Sequence, residues 1–320
     1  MGCRCFAVTR RSFILVEIVI SICAMSLVIA GIMSGALLIA EIGAFSEDTA
    51  AARDRAEDVF SIMRLPADMC GYGMPREKSE YRTAFRGGAG SPFDWEGAIK
   101  TFDISVKIDG RFIMRKNGGC RISYGIPTKI YVSREATASG GSLDLYTDDT
   151  PAFLDPVFTG NPNSPKNWII SGSMTPFPCP MWLKTSSKSG SETILKLMYN
   201  EFDGCPEAIS IPENERLFYM GAMDWRALVT ESDFVFYVNN LRGGGNQPRR
   251  DGIVDARFEV DGSNRVLKVW LLVRGDRRHS GVKTSGIPSG WPPEYAGDIP
   301  SEARHYRLLA FSESFGLKNF

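Results

Sequence analysis

The longest run of apolar positions lies near the N-terminus, at residues 18–40, and contains no charged side chain. As a helix it would cover about 35 Å at about 1.5 Å per residue, which is enough to cross a hydrocarbon core of about 30 Å. The pattern therefore predicts a transmembrane helix over 18–40, with the acidic Glu17 immediately before it.

Apolar positions continue beyond this run at helical spacing. Five of them recur at intervals of three or four residues among charged side chains: Ala52, Ala56, Val59, Phe60 and Met63. This spacing is typical of a helix with one buried face. Pro66 disfavours helical conformation in the residue before it, so a single long helix is predicted over 13–65, with an amphipathic second half.

From residue 66 onward the chain is rich in Gly, Pro and Ser, and its apolar residues form short β-branched or aromatic runs. The predicted strands are 104–108, 112–116, 130–133, 143–146, 193–199, 217–221, 233–238, 254–260, 266–273 and 305–314. Hairpin turns are predicted at Asp109-Gly110 and at 261–264, and surface insertions at 147–168 and 275–300. The predicted fold class is α+β, with a long N-terminal transmembrane and amphipathic helix packed on a mainly antiparallel β-sheet head over 66–320.

The distribution of charged residues predicts how the chain is oriented in the membrane. Lys plus Arg and Asp plus Glu number 37 each, and no basic run is longer than a pair such as Arg249-Arg250, so direct nucleic-acid binding is not predicted. Arg4, Arg10 and Arg11 precede the apolar run and acids follow it, which places the N-terminus in the cytoplasm and the head outside. A secretory signal peptide is the alternative, although its apolar core is usually only about 7 to 15 residues.

Four of the seven cysteines, Cys70, Cys120, Cys179 and Cys205, lie in the predicted extracytoplasmic head. An even number on the oxidising side suggests two disulfides, with three possible connectivities, and buried free thiols are the alternative. The spacings contain no CxxC, so a zinc site is not predicted.

The chain offers little sign of catalysis. Its two histidines, His279 and His305, lie near no serine or cysteine nucleophile motif, and the glycine-rich stretches lack a phosphate-binding pattern. Four acids are either calcium ligands or turn-forming loop residues: Asp144, Asp148, Asp149 and Asp155. No enzyme, cofactor or metal is predicted. Trp291 is expected to be the most exposed tryptophan, because Gly and Pro flank it.

The stretch 10–17, Arg-Arg-Ser-Phe-Ile-Leu-Val-Glu, followed by the apolar run, resembles the N-terminal signature of type IV prepilins and type II secretion pseudopilins. The resemblance implies a leader peptide over 1–12, cleavage by a prepilin peptidase between Ser12 and Phe13, and N-methylation of Phe13 by the same peptidase/methyltransferase. Ser12 stands where the family commonly has glycine. Glu17 would be the fifth residue of the mature chain, and its carboxylate would neutralise the new amine of a neighbouring subunit within lipid.

The C-terminal stretches 265–274, 305–307 and 315–319 resemble the ending of PilW-like minor pilins and J-type pseudopilins. The resemblance implies a pilin-like fold and a structural subunit that helps initiate or cap a type IV pilus or a type II secretion pseudopilus. Its partners would be other pilins or pseudopilins, through the N-terminal helix, and the lipid of the bacterial inner membrane, with the head in the periplasm. Two alternatives remain: a membrane-anchored extracytoplasmic binding protein or enzyme, and an adhesive tip subunit.

Overall fold

The computed structural model describes residues 6–85, 97–148, 168–199, 205–229, 233–241 and 245–319, with side chains from Val16 onward. The chain divides into two compact units, Met1–Ala50 and Ala51–Phe320. The first contains most of helix α1 (Phe6–Asp68), and the second contains the end of α1 and the β-rich head. The predicted α+β class is confirmed: one long apolar N-terminal helix and a mostly antiparallel β domain.

The second half of α1 supplies a buried face to the head. All five apolar positions at helical spacing, from Ala52 to Met63, are at most 5% exposed, while Arg53, Asp54 and Glu57 between them are exposed. The amphipathic prediction is therefore confirmed.

Helix α1 ends three residues later than predicted, at Asp68 instead of Leu65, with Pro66 inside it. Proline lacks an N–H donor, but the hydrogen bonding of the helix resumes after it, because the Leu65 carbonyl accepts a hydrogen bond from the Met69 N–H at 3.1 Å. A short helix, α2 (Lys78–Ala84), follows and buries Tyr81 and Ala84. The sequence pattern did not predict it.

Fourteen strands are found within the described residues. They are β1 (Ile99–Ile108), β2 (Arg111–Tyr131), β3 (Ala136–Ser139), β4 (Ser142–Thr147), β5 (Trp168–Ser171), β6 (Met181–Ser189), β7 (Glu192–Met198), β8 (Ala208–Ile211), β9 (Arg216–Val229), β10 (Phe234–Asn240), β11 (Gly245–Asp251), β12 (Ile253–Asp261), β13 (Val266–Arg274) and β14 (Leu308–Gly316).

These strands form three antiparallel sheets in the described part of the chain. The largest has the order β1-β2-β9-β5-β6-β7-β4, with β10 also paired to β9 and β11 to β10. The second is β12-β13-β14, and the third is the pair β3-β8. One buried cluster joins the end of α1 and α2 to all three sheets.

Both predicted hairpin turns are confirmed. Asp109 and Gly110 connect β1 to β2 with φ angles of 49° and 79°, and Ile108 pairs with Arg111, as in the type I′ turn that Asp-Gly favours. At the second turn Asp261 pairs with Val266, and its Oδ1 accepts hydrogen bonds from the N–H groups of Ser263 and Asn264 at 3.0 and 3.1 Å.

The stretch 275–300 is not merely a surface insertion, because it carries a second part of the core. Trp291 is only 4% exposed, so the prediction that it is the most exposed tryptophan is wrong. It packs in a separate cluster with one residue from each of β10, β12, β13 and β14, namely Phe234, Val254, Leu272 and Leu308, and with Ile299 and Ala303 from the connection that precedes β14. Most of the other predicted insertion, 149–167, lies outside the described residues.

Truncating the buried face of α1 tests its role in the head. Phe60 is 5% exposed and its ring centroid lies 6.2 Å from that of Phe315 on β14. We expect Phe60→Ala to lower the free energy of unfolding by about 3–5 kcal/mol, because it leaves a cavity. Urea unfolding of the full chain in detergent, followed by tryptophan fluorescence, measures this.

The matched control is Ser61→Ala, one residue along on the exposed face of the same helix. This change should stay within about 0.5 kcal/mol of the parent. Equal effects of the two substitutions would contradict the assignment of the buried face.

Candidate functional site

The apolar part of α1 offers a large surface that the described residues leave exposed. Within Val16–Asp68 the most apolar window has a mean hydropathy of 2.4, and none of it is buried. Large side chains such as Leu27, Leu37 and Ile39 are 70–75% exposed. Among the described residues, this is the one helix long and apolar enough to cross a membrane, a property that it shares with signal sequences near an N-terminus.

Two hydroxyl groups within the apolar segment, those of Ser26 and Ser34, are satisfied by the helix itself. Ser26 Oγ donates to the Ile22 carbonyl at 2.8 Å, and Ser34 Oγ donates to the Ala30 carbonyl at 2.9 Å. Such bonds to the carbonyl four residues earlier are compatible with hydrocarbon because no polar hydrogen is left unpaired. These serines therefore need no external partner.

Glu17 differs from the serines. Its exposed side chain borders a shallow groove of about 440 Å³ that Ile18, Ser21, Ile22 and Met25 also line. Its carboxylate makes no hydrogen bond or ion pair with any side chain that the structure describes. A carboxylate in a membrane is costly unless it is paired, so this geometry calls for a cationic partner outside the described part of the chain.

Two glycines lie four residues apart on the same segment, Gly31 and Gly35. A Cβ atom built at either position would meet nothing within 4 Å, so nothing described in this chain requires glycine there. Small residues at this spacing let two membrane helices approach closely. The surface is suited to packing against another helix.

The predicted processing site falls at the edge of the described region. Ser12 and Phe13 lie within the backbone of α1, and their side chains are outside the described residues. Cleavage after Ser12 and methylation of Phe13 stay predictions.

The four cysteines of the head are free thiols in the structure, and the disulfide prediction stays a prediction. Cys70, Cys120 and Cys179 are buried, and Cys205 is half-buried. Burial raises the pKa of Cys70 to about 12 and also raises the pKa of Cys120. Thiols with raised pKa values hold little reactive thiolate, so these two are poor nucleophiles.

The head contains a buried network of charged side chains that the sequence analysis did not predict. Arg115 on β2 and Asp255 and Arg257 on β12 are all 0% exposed. Asp255 forms ion pairs with both guanidinium groups, at 3.2 Å from Arg115 Nη1 and 2.7 Å from Arg257 Nη2, and accepts hydrogen bonds from Arg257. Arg257 Nη2 also lies 2.5 Å from Asp298 Oδ2, in the 3₁₀ helix Pro293–Asp298.

Backbone carbonyls add further hydrogen bonds to this network, while Arg115 Nε has no partner among the described atoms. Arg115 donates to the carbonyls of Val254 and Asp298 at 3.2 Å each, and Arg257 donates to the carbonyl of Lys116 at 2.7 Å. Burial raises the pKa of Asp255, and the two guanidinium groups oppose this rise. The network joins β2 and β12 to the stretch 275–300, and its two guanidinium groups face two carboxylates of the same chain, Asp255 and Asp298, which is typical of a network that stabilises the fold.

The remaining candidates for chemistry do not assemble into a site. His279 N–H donates to the His305 carbonyl at 2.9 Å, and His305 Nδ1 lies 3.2 Å from the Gly281 carbonyl. Asp144 and Asp148 are exposed, while Asp149 and Asp155 lie outside the described residues. The described side chains include no group of three or more metal-ligating residues.

An open cavity of about 590 Å³ lies at the small β3–β8 sheet. Its lining includes Thr137, Ser139, Thr175 and Ser210, with no titratable side chain among the described lining residues. It therefore offers hydroxyl groups for hydrogen bonding but no acid, base or activated nucleophile.

Comparison with known proteins gave no match to a protein-family model, a curated protein or a solved structure. The function is therefore inferred from the sequence and the structure of this chain.

The buried network predicts a large effect of removing its central acid. Asp255→Asn would leave two buried guanidinium groups with one remaining carboxylate, Asp298, which costs about 3–5 kcal/mol in comparable buried pairs. Thermal and urea unfolding of the full chain in detergent would measure the loss. Asp144→Asn, the same change at an exposed strand position, should have an effect within about 0.5 kcal/mol. An equally small effect at Asp255 would contradict the structural role of the network.

Proposed function

We propose that this chain is a minor pilin or pseudopilin, a non-enzymatic structural subunit that helps initiate or cap a type IV pilus or a type II secretion pseudopilus. Before assembly, the apolar part of α1 holds the subunit in the bacterial inner membrane, with the head in the periplasm. The observation that carries the proposal is Glu17, a carboxylate without a described partner at the start of an exposed apolar helix.

The chemistry of the proposed cleavage supports this role for Glu17. Cutting between Ser12 and Phe13 would create an ammonium group on Phe13, four residues before the carboxylate. Within one helix this spacing allows only a modest interaction. Between neighbouring subunits in lipid, the amine of one and the carboxylate of the next would neutralise each other, which offsets the cost of burying both charges.

Helix packing would supply the rest of the assembly energy. The exposed apolar side chains of residues 18–40 would exchange lipid for neighbouring pilin or pseudopilin helices, and Gly31 and Gly35 would permit close backbone approach. The same helix supplies the buried face from Ala52 to Met63 to the head. A plain membrane anchor needs an apolar segment, but it has no use for an acid at position 17.

The mature N-terminus is the first test. We expect mass spectrometry of the protein from its native membrane to show a chain that begins at N-methylated Phe13, without residues 1–12. In a strain without prepilin peptidase the same chain should retain its leader. An N-terminus at Met1 in the wild-type strain would indicate a plain anchor, and a start near Phe45 would indicate a secreted domain; either result would contradict the proposal.

The second test removes the charge of Glu17 while keeping its shape. We expect Glu17→Gln to leave the unfolding of the head unchanged and to lower incorporation into the filament by about tenfold or more, equivalent to about 1.4 kcal/mol or more of lost pairing. Quantitative immunoblotting of sheared filaments or of cross-linked pseudopilus complexes would measure incorporation. Glu41→Gln, an acid in the same helix just beyond the apolar run, is the matched control and should assemble normally.

A further inference from the structure

Backbone pairing joins the connection between β5 and β6 to strand β8. Thr175 and Ser210 form an antiparallel bridge, in which the N–H of each donates to the carbonyl of the other at 3.0 and 3.1 Å. Opposing positions in an antiparallel pair advance in opposite directions along the chain. Cys179 lies four residues after Thr175 and Cys205 five residues before Ser210, so both cysteines lie on the same side of this isolated bridge.

The thiols of these two cysteines are in contact. Cys179 is 0% exposed and makes a side-chain hydrogen bond with Cys205, which packs half-buried against the same core. Together with burial, that hydrogen bond raises the pKa of Cys179, so its proton is retained while both thiols are reduced. Cys179 Sγ also lies 3.4 Å from Met174 Sδ, which makes the surroundings of this pair rich in sulfur.

Cys70 and Cys120 have a different relationship. Cys70 forms a β-bridge with Tyr124, and Cys120 lies four residues earlier on the same strand β2, so the Cα of Cys120 is roughly 13 Å from that of Tyr124 at about 3.3 Å per residue. A disulfide needs Cα atoms within about 4.4–6.8 Å. The backbone would have to move to bring these two together, and both side chains are 0% exposed.

We propose that Cys179 and Cys205 form a disulfide in the mature protein and that Cys70 and Cys120 remain thiols. The bond would link the connection between β5 and β6 to the connection between β7 and β8, beside the small β3–β8 sheet. One of the three connectivities that the sequence allows pairs Cys179 with Cys205 and Cys70 with Cys120. The geometry supports the first of these two bonds and not the second. The bond requires an oxidising compartment, and in this respect the proposal rests on the proposed function, which locates the head in the periplasm.

The oxidant is a disulfide, either a periplasmic thiol–disulfide oxidase or oxidised glutathione. The more accessible Cys205 loses its proton, and its thiolate attacks one sulfur of the oxidant, which forms a mixed disulfide and releases one thiolate. Cys179 then loses its proton and attacks the Cys205 sulfur, forming the internal S–S bond and releasing the second thiolate. Two protons and two electrons leave the protein, and the oxidant disulfide becomes two thiols.

Peptide mapping tests the pairing directly. Full-length protein in detergent is reduced, freed of reductant, oxidised with oxidised glutathione, alkylated and digested with trypsin. The four cysteines of the head fall in four different tryptic peptides: 65–76, 117–121, 167–184 and 197–216. We expect one linked pair, 167–184 with 197–216, lighter by two hydrogen atoms than the sum of the two peptides. Peptides 65–76 and 117–121 should be recovered as thiols, alkylated only after denaturation.

Substitutions distinguish the Cys179–Cys205 pair from the other two thiols, Cys70 and Cys120. Cys205→Ser should abolish the linked peptide, and Cys70→Ser should retain it. Reduction should lower the melting temperature of the wild-type chain by roughly 5–10 °C, the scale expected for opening a loop of this length in a domain of this size, and should leave Cys205→Ser unchanged. A link that includes peptide 65–76 or 117–121, or full alkylation of all four cysteines, would overturn the pairing, and the wild-type map decides this even if a variant fails to fold.

Alkylating intact cells before lysis separates this proposal from the proposed function. A linked pair in the native chain supports the bond in the mature protein. A bond that forms in detergent but is missing from the native chain would overturn that claim and would count against a periplasmic head. A methylated Phe13 together with unlinked Cys179 and Cys205 would overturn the disulfide alone and leave the assembly role in place.

Discussion

The buried face of α1 between Ala52 and Met63 is the element on which the head depends. It lies in the one apolar cluster that all three sheets share with α2. A β-sheet exposes an apolar face unless another layer covers it, and this stretch of helix contributes to that cover. The same helix continues toward the N-terminus as the exposed apolar segment, so the two parts of α1 require different surroundings.

The buried charged side chains of the head have partners of opposite charge within the chain, whereas Glu17 has none among the described side chains. In the head, Arg115, Asp255 and Arg257 are fully buried, and each finds an opposite charge within the chain. In the apolar segment, Glu17 finds no partner among the described side chains. A charge removed from water needs a counter-charge, which the head supplies internally and which the membrane segment would receive from another subunit under the proposed function.

Local patterns predicted the elements whose signals lie within a few residues. The amphipathic stretch of α1, the Asp109-Gly110 turn and the β12–β13 hairpin have the predicted form. Strand β11 was not predicted, because its residues, Gly-Asn-Gln-Pro-Arg-Arg-Asp, carry no apolar alternation and its pairing to β10 comes from outside the segment. The start of β14 was predicted too early, since His305 belongs to the 3₁₀ helix Glu302–His305.

By itself, the sequence determined the apolar run, the single acid before it, the α+β class and the turns, because each is a property of neighbouring residues. Only the tertiary structure decided that Asp255 and Arg257 are buried. Their alternation with apolar neighbours on β12 is typical of a solvent-facing side, but the segment that carries Trp291 and Asp298 covers that side. The juxtaposition of Cys179 and Cys205 likewise depends on the pairing of Thr175 with Ser210. Contacts between distant residues follow from the way the layers pack, and no short stretch of sequence contains that information.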